Sequence, residues 1–131
     1  SSNNKSNDIY TALESLSLSI SKKLDVNNIK NLAIMNYTDL SGNNSAIGSY
    51  ISDEVTLQLF LEERFQIIER EQIDYIIGEQ KLSASGLINE KSAIELGNIL
   101  SVDAIILGSI SDINNNIIIN TKIISSLDLI L

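Results

Sequence analysis

Four groupings of side chains in this sequence have the types and spacing that chemistry uses. Ser19-Ile20-Ser21-Lys22 sets a serine three residues before a lysine, as a Ser/Lys nucleophile pair would. It falls on the surface of a helix, and Ser41, Ser83 and Ser85 have no basic partner in sequence, so a hydrolase is not supported. Asp53-Glu54 would need a shared face to act as acid and base. Consecutive helical residues point about 100° apart, and both carboxylates sit near a helix start, where negative charge favours the macrodipole. Glu69-Arg70 joins a strand to a helix that ends at Glu79-Gln80. It reads either as a pin between the two elements or as a recognition patch shared with Glu79 and Gln80. Finally, Gly42-Asn43-Asn44-Ser45-Ala46-Ile47-Gly48 lies between a strand and a helix N-terminus, where α/β folds hold phosphates. It lacks the lysine and spacing of a phosphate-binding loop. It reads as a plain connection whose polar tip is available to a partner.

Composition narrows the chemistry further. The 131 residues suit one domain with a real core. There is no histidine, cysteine, proline or tryptophan. No imidazole or thiol is present to act as base or nucleophile near neutral pH, and no Cys/His zinc site can form. No cofactor is expected. Nine basic residues against 17 acidic give a net charge of −8. Such a surface repels phosphate backbones and anionic bilayers, so nucleic acid is not expected as a partner. No apolar run reaches the roughly 20 residues of a spanning helix. The chain opens on Ser1-Ser2-Asn3-Asn4-Lys5-Ser6-Asn7 without methionine, which suggests a processed or truncated product.

Hydrophobic periodicity supplies the elements that must position these groups. Residues 1–7 read as a flexible polar tether and residues 8–131 as a single domain. Ile9, Leu13, Leu16, Ile20 and Leu24 mark one face of a helix capped by Asn7. Leu32 to Tyr37 is a buried strand. A second helix runs from Ala46 to Glu62, capped by Ser45, with a stripe of Ile47, Ile51, Val55 and Leu59 widened by Tyr50 and Phe60. A strand from Phe65 to Glu69 leads into a third helix, Glu71 to Glu79. Residues 81–87 form a loop, and Asn89 caps a fourth helix from Glu90 to Leu100, in which Gly97 implies close packing. Val102 to Ile110 and Ile117 to Ile124 are strands joined by a tight reversal at Asp112-Ile113-Asn114-Asn115-Asn116. In the last strand Ile117, Ile119, Thr121 and Ile123 share one face, and Ile118, Asn120 and Lys122 the other. The first two strands should be parallel and the last two antiparallel. The fold expected is α/β (α+β), a mixed sheet of four to five strands packed with about four helices. The apolar tail after Ile124 suits a fifth strand or a docking segment.

Five segments in order resemble the FlgO family, named for a flagellar outer-membrane protein. They are Ala33 to Gly42, Gly48 to Val55, Phe65 to Gln80, Leu82 to Leu87 and Leu96 to Ser109. The same core is similar to the periplasmic domain of the curli secretion channel CsgG, to LpoB (the lipoprotein activator of penicillin-binding proteins) and to the amino-terminal domain of TolB. That group has an anticodon-binding-like fold. The chain departs from the family at Asn36, where a proline is usual, and at Ile124-Ser125-Ser126-Leu127-Asp128, where an "ID..TGE" turn is usual.

The resemblance implies a non-enzymatic envelope protein in the periplasm, associated with the outer membrane and acting on protein partners in flagellar or surface-structure assembly. Any membrane attachment would come from an N-terminal lipid anchor absent from this chain, and homo-oligomerisation stays open. The alternatives are an LpoB-like activator of a cell-wall synthase, a CsgG-like secretion component, and a small-ligand binder using the Gly42–Gly48 loop. Candidate contact or motif residues are Asp39, Gly42, Gly48, Glu69, Arg70, Glu79, Gln80 and Gly86.

Overall fold

The computed structural model describes residues 2–79 and 90–126. The loop at 81–87, the Asn89 cap and any strand beyond Ser126 lie outside the described residues. The elements run α1 (Ser2–Val26), β1 (Asn31–Ile34), α2 (Ala46–Leu61), β2 (Gln66–Ile67), α3 (Arg70–Glu79), α4 (Glu90–Leu100), β3 (Ala104–Ile113) and β4 (Asn116–Ser125). One sheet holds the strands in the order β2-β1-β3-β4. β1 is parallel to both β2 and β3, and β3 pairs antiparallel with β4 over ten residues without a break.

The two faces of the sheet are covered by different helices, because the strands alternate. Leu32, Ile34, Ala104, Ile106 and Ile110 point one way and pack with Leu13, Ile20 and Leu24 of α1 and Ile51, Val55 and Leu59 of α2. Ala33 and Ile105 point the other way, against Ile73 of α3 and Ala93, Leu96 and Leu100 of α4. The β1-α2-β2 and β2-α3-α4-β3 connections thus lie on opposite faces, as right-handed crossovers require when strand order reverses.

Several boundaries move from their expected places. α1 begins at Ser2, so Asn7 lies inside the helix and does not cap it. Residues 2–6 hold no Gly or Pro to stop it. β1 ends at Ile34, but its pairing continues past a kink at Asn36 and Tyr37, with Met35 N–H donating to Ile106 O and Thr38 N–H to Gly108 O. β2 is only two residues long because the chain turns into α3 at Arg70. On α2, Ile51, Val55 and Leu59 are buried as expected, but Ile47, Tyr50 and Phe60 are exposed. Gly48 and Ser52 take the inward positions instead, and their small side chains let α2 sit close to the chain after β1. The reversal between β3 and β4 is a two-residue turn with φ of 53° at Asn114 and 66° at Asn115. Both residues tolerate the left-handed region that a hairpin of the favoured twist demands.

Candidate functional site

The kink after β1 is built around Tyr37. Its side chain is fully buried, with the ring lying on the backbone of Gly108 in β3. A Cβ at position 108 would meet that ring at 2.2 Å, so the strand needs glycine here, and the aromatic ring covers it. The Tyr37 hydroxyl lies 2.7 Å from Thr121 Oγ1 in β4. Burial pushes the phenol above its ordinary range, partly offset by this hydrogen bond. The Tyr37 carbonyl faces the start of α2, where a Cβ on Gly48 would fall 1.9 Å from it.

Beyond the kink, Asp39 folds the loop on itself. Its Oδ1 accepts from the N–H groups of Ser41 and Asn43, both at 2.9 Å, and Gly42 adopts a φ of 86° at the turn. Ser45 caps α2 by accepting from Gly48 N–H at 3.1 Å. The expected glycine loop is therefore a closed turn, and a side chain already takes one of the N–H groups that a phosphate would use.

Arg70 opens α3 and spans the crevice between the ends of β1 and β2, where the chain leaves for opposite faces. In a sheet of order β2-β1-β3 the usual ligand position of open α/β folds is the neighbouring crevice, between β1 and β3. Arg70 Nη1 donates to Asn36 Oδ1, and Nη2 donates to Ser52 Oγ at 2.6 Å. The Ser52 hydroxyl in turn donates to the Met35 carbonyl at 3.0 Å. The Asp53 carboxylate stands 3.8 Å from Nη2. Arg70 thus ties α3 to α2 and to the kink. Its ionic partner is Asp53, not Glu69, whose carbonyl accepts the Gln72 and Ile73 N–H groups. Asn36 gives Arg70 an acceptor that a proline at this position would lack.

Beside Arg70 a groove of about 660 Å³ opens between α3 and the β3–β4 hairpin. Met35, Ile73, Ile77 and Leu107 form its apolar wall, and Asn44, Asp74, Asn120 and Lys122 bring polar groups. Among the described residues, the side chains of α3 and α4 pack on Ile105 and Leu107 of the groove's face and on no residue of β3 beyond Leu107. The lining carries two cations, Arg70 and Lys122, against one anion, Asp74, in a chain of net charge −8. A second groove of about 420 Å³ lies on the α2 side of β2, with Glu69 and Phe60 in its lining.

Of the candidate contact residues, Arg70 lines the larger groove, and so do Asn44 of the Gly42–Gly48 loop and Asn36. Asp39, Gly42 and Gly48 shape the loop, Glu69 is on the second groove, and Glu79 ends α3 exposed. Gln80 and Gly86 lie outside the described residues. Asp53 is exposed and turned to Arg70, while Glu54 points away, so the two carboxylates do not converge. Ser21, not Ser19, is the buried serine of its segment. It donates to Glu62 at 2.7 Å and accepts from Arg64, binding α1 to the end of α2. Sequence reading passed over Asn120 and Lys122, although Lys122 is the one charge in an isoleucine-rich strand.

Among the described residues no group of three or more metal-ligating side chains comes together, and no helix is long and apolar enough to cross a membrane. The fold is that of two solved domains. The LpoB C-terminal domain from Escherichia coli superposes with a TM-score of 0.63 at 14% identity, covering 76% of this chain and 73% of that one. The LpoB C-terminal domain from Salmonella enterica gives 0.58 at 13% identity, covering 83% and 94%. A search of curated protein sequences returns no match. Residues 7–120 match the family described as "Curli production assembly/transport component CsgG", and the chain belongs to that family.

Proposed function

We propose that this chain is a non-enzymatic cell-envelope domain that works by binding other proteins at the outer membrane, in flagellar or other surface-structure assembly. The observation that carries this reading is the CsgG-family match over residues 7–120. The groove beside Arg70 supports it. Its apolar wall and polar rim suit a protein segment, and among the described residues no nucleophile–base pair lines it. The five FlgO-like segments favour the flagellar version. Export to the periplasm and an N-terminal lipid anchor belong to the same reading.

A photo-reactive amino acid at position 122 or 74, on the groove rim, should crosslink in living cells to a discrete envelope protein. The same probe at Lys22, on an exposed turn of α1, should not. Equal labelling from all three positions, or a protein confined to the cytoplasm, would overturn the proposal. The likeness to the LpoB domains favours a second reading, activation of a cell-wall synthase. In that case the purified chain should stimulate glycan polymerisation or crosslinking by the synthase, and Lys122→Glu should blunt the effect.

A further inference from the structure

β4 is an edge strand of ten residues, and among the described residues no strand pairs with its outer side. Natural edges of this length are blunted by proline, bulges or charge. The chain has no proline, the β3–β4 register runs unbroken, and β4 carries one charge, Lys122. Two further features say what fits this edge. The first is its sequence, which is close to a palindrome about Thr121. Asn120 mirrors Lys122, Ile119 mirrors Ile123, and Ile118 mirrors Ile124. Over residues 118–124 polar residues meet polar and isoleucine meets isoleucine in that register, and only outside that span does Ile117 face Ser125. A register centred on Asn120 would set Ile118 against Lys122. The second is a groove of about 520 Å³ along this edge under α1, lined by Leu16, Ile20, Lys23, Lys122 and Ile123 among others, with no acidic residue in its lining.

We propose that β4 pairs antiparallel with β4 of a second copy about a twofold axis at Thr121, joining two four-stranded sheets into one of eight. Self-complementarity is what a twofold contact demands of a surface, and an unrelated peptide would not require it. The pairing places Ile119 of each copy opposite Ile123 of the other, over the groove beneath α1. It also places each Lys122 opposite an Asn120 and away from the other Lys122. The edge is free of acid in a chain of net charge −8, so two copies meet there with little repulsion.

Analytical ultracentrifugation of the whole chain and two variants tests this. The chain should associate reversibly to twice its 14.4 kDa mass. Asn120→Glu sets a carboxylate opposite Lys122 twice per dimer and should tighten the dissociation constant about fivefold, while Asn120→Lys should weaken it by a similar factor. Net charge alone predicts the reverse order, since Glu takes each copy from −8 to −9 and Lys to −7. In a chain without cysteine, Thr121→Cys should crosslink to its own counterpart under a mild oxidant. Ile118→Cys should not, because six residues of offset hold the two sulfurs about 20 Å apart. The proposal is overturned by a monomer at all concentrations, by the reverse order of the Asn120 variants, or by a chain that dimerises only after residues 127–131 are removed.

Discussion

The two ends of the central pair β1 and β3 are tied by different residues. At the end where β1 and β3 begin, side chains bond to backbone. Asp103 Oδ2 accepts the N–H groups of Lys30 and Asn31 at 3.0 Å, and its own N–H donates to the Asn31 carbonyl at 2.8 Å. Ser126 Oγ sits on the carbonyls of Val102 and Asp103, and Gly97 leaves room for it, with a Cβ there falling 3.3 Å from that of Ser126. At the other end, where β1 kinks and the hairpin projects, bonds between side chains (Arg70 to Asn36 and Ser52, Tyr37 to Thr121) join the side-chain-to-backbone bonds of Asp39, Ser45 and Ser52. Backbone partners are present whatever the sequence. Side-chain partners can be exchanged without disturbing the strands. The groove opens at the end where exchange is tolerated, and the closed end holds the register.

The largest effect should come from removing the close approach that makes the kink possible. Gly108→Val drives side-chain atoms into the fully buried Tyr37 ring. We expect a loss of about 3 kcal/mol or more, with chains that fail to fold in part of the population. Urea unfolding followed by circular dichroism reads this directly. A variant as stable as the parent would show that the kink is soft and that the carboxyl end contributes little to stability.

Next in size are the two polar ties, taken as a pair. Asp103→Ala leaves two backbone N–H groups without their acceptor and should cost roughly 2 kcal/mol, while Asp103→Asn keeps an acceptor and should recover much of it. Arg70→Ala removes bonds from a partly exposed side chain, and Ser52 keeps its bond to Met35 O. About 1 kcal/mol is expected there. The order of the two losses is the test. If Arg70→Ala costs more than Asp103→Ala, the division between a register-holding end and an exchangeable end is wrong.

The fold could be read from the sequence wherever burial imposed a period. The α1 stripe, the α4 boundaries, the parallel pair and the hairpin all follow from isoleucine and leucine spacing that admits one solution. Misreadings cluster where two elements approach closely. Ile47 and Tyr50 seemed to extend the α2 stripe, but Gly48 and Ser52 face inward because α2 presses on the Tyr37 carbonyl, a tertiary contact that no window of sequence contains. The groove was less legible than the fold. Its lining comes from five separated segments. Arg70 stood out because a charge at a strand–helix junction is conspicuous. Asn36 was seen only as a missing proline, and its role as the partner of Arg70 depends on a contact across 34 residues.

The smallest expected effect, and the most specific to the carboxyl end, is alkaline. Burial gives the folded state a firmer hold on the Tyr37 proton than the unfolded chain has, with the Thr121 hydrogen bond pulling in the opposite direction. A group whose folded pKa is raised contributes stability that is whole below the unfolded value, about 10 for a phenol, and is lost as pH climbs through the folded value. Unfolding free energy should therefore fall above about pH 10 in the parent. Tyr37→Phe should start roughly 1 kcal/mol lower at neutral pH, for want of the bond to Thr121, and should lack this component of the alkaline decline. The two curves then converge as pH rises. Curves that stay parallel from pH 7 to 11 would mean that the phenol ionises as easily folded as unfolded, and that water reaches the kink through the groove.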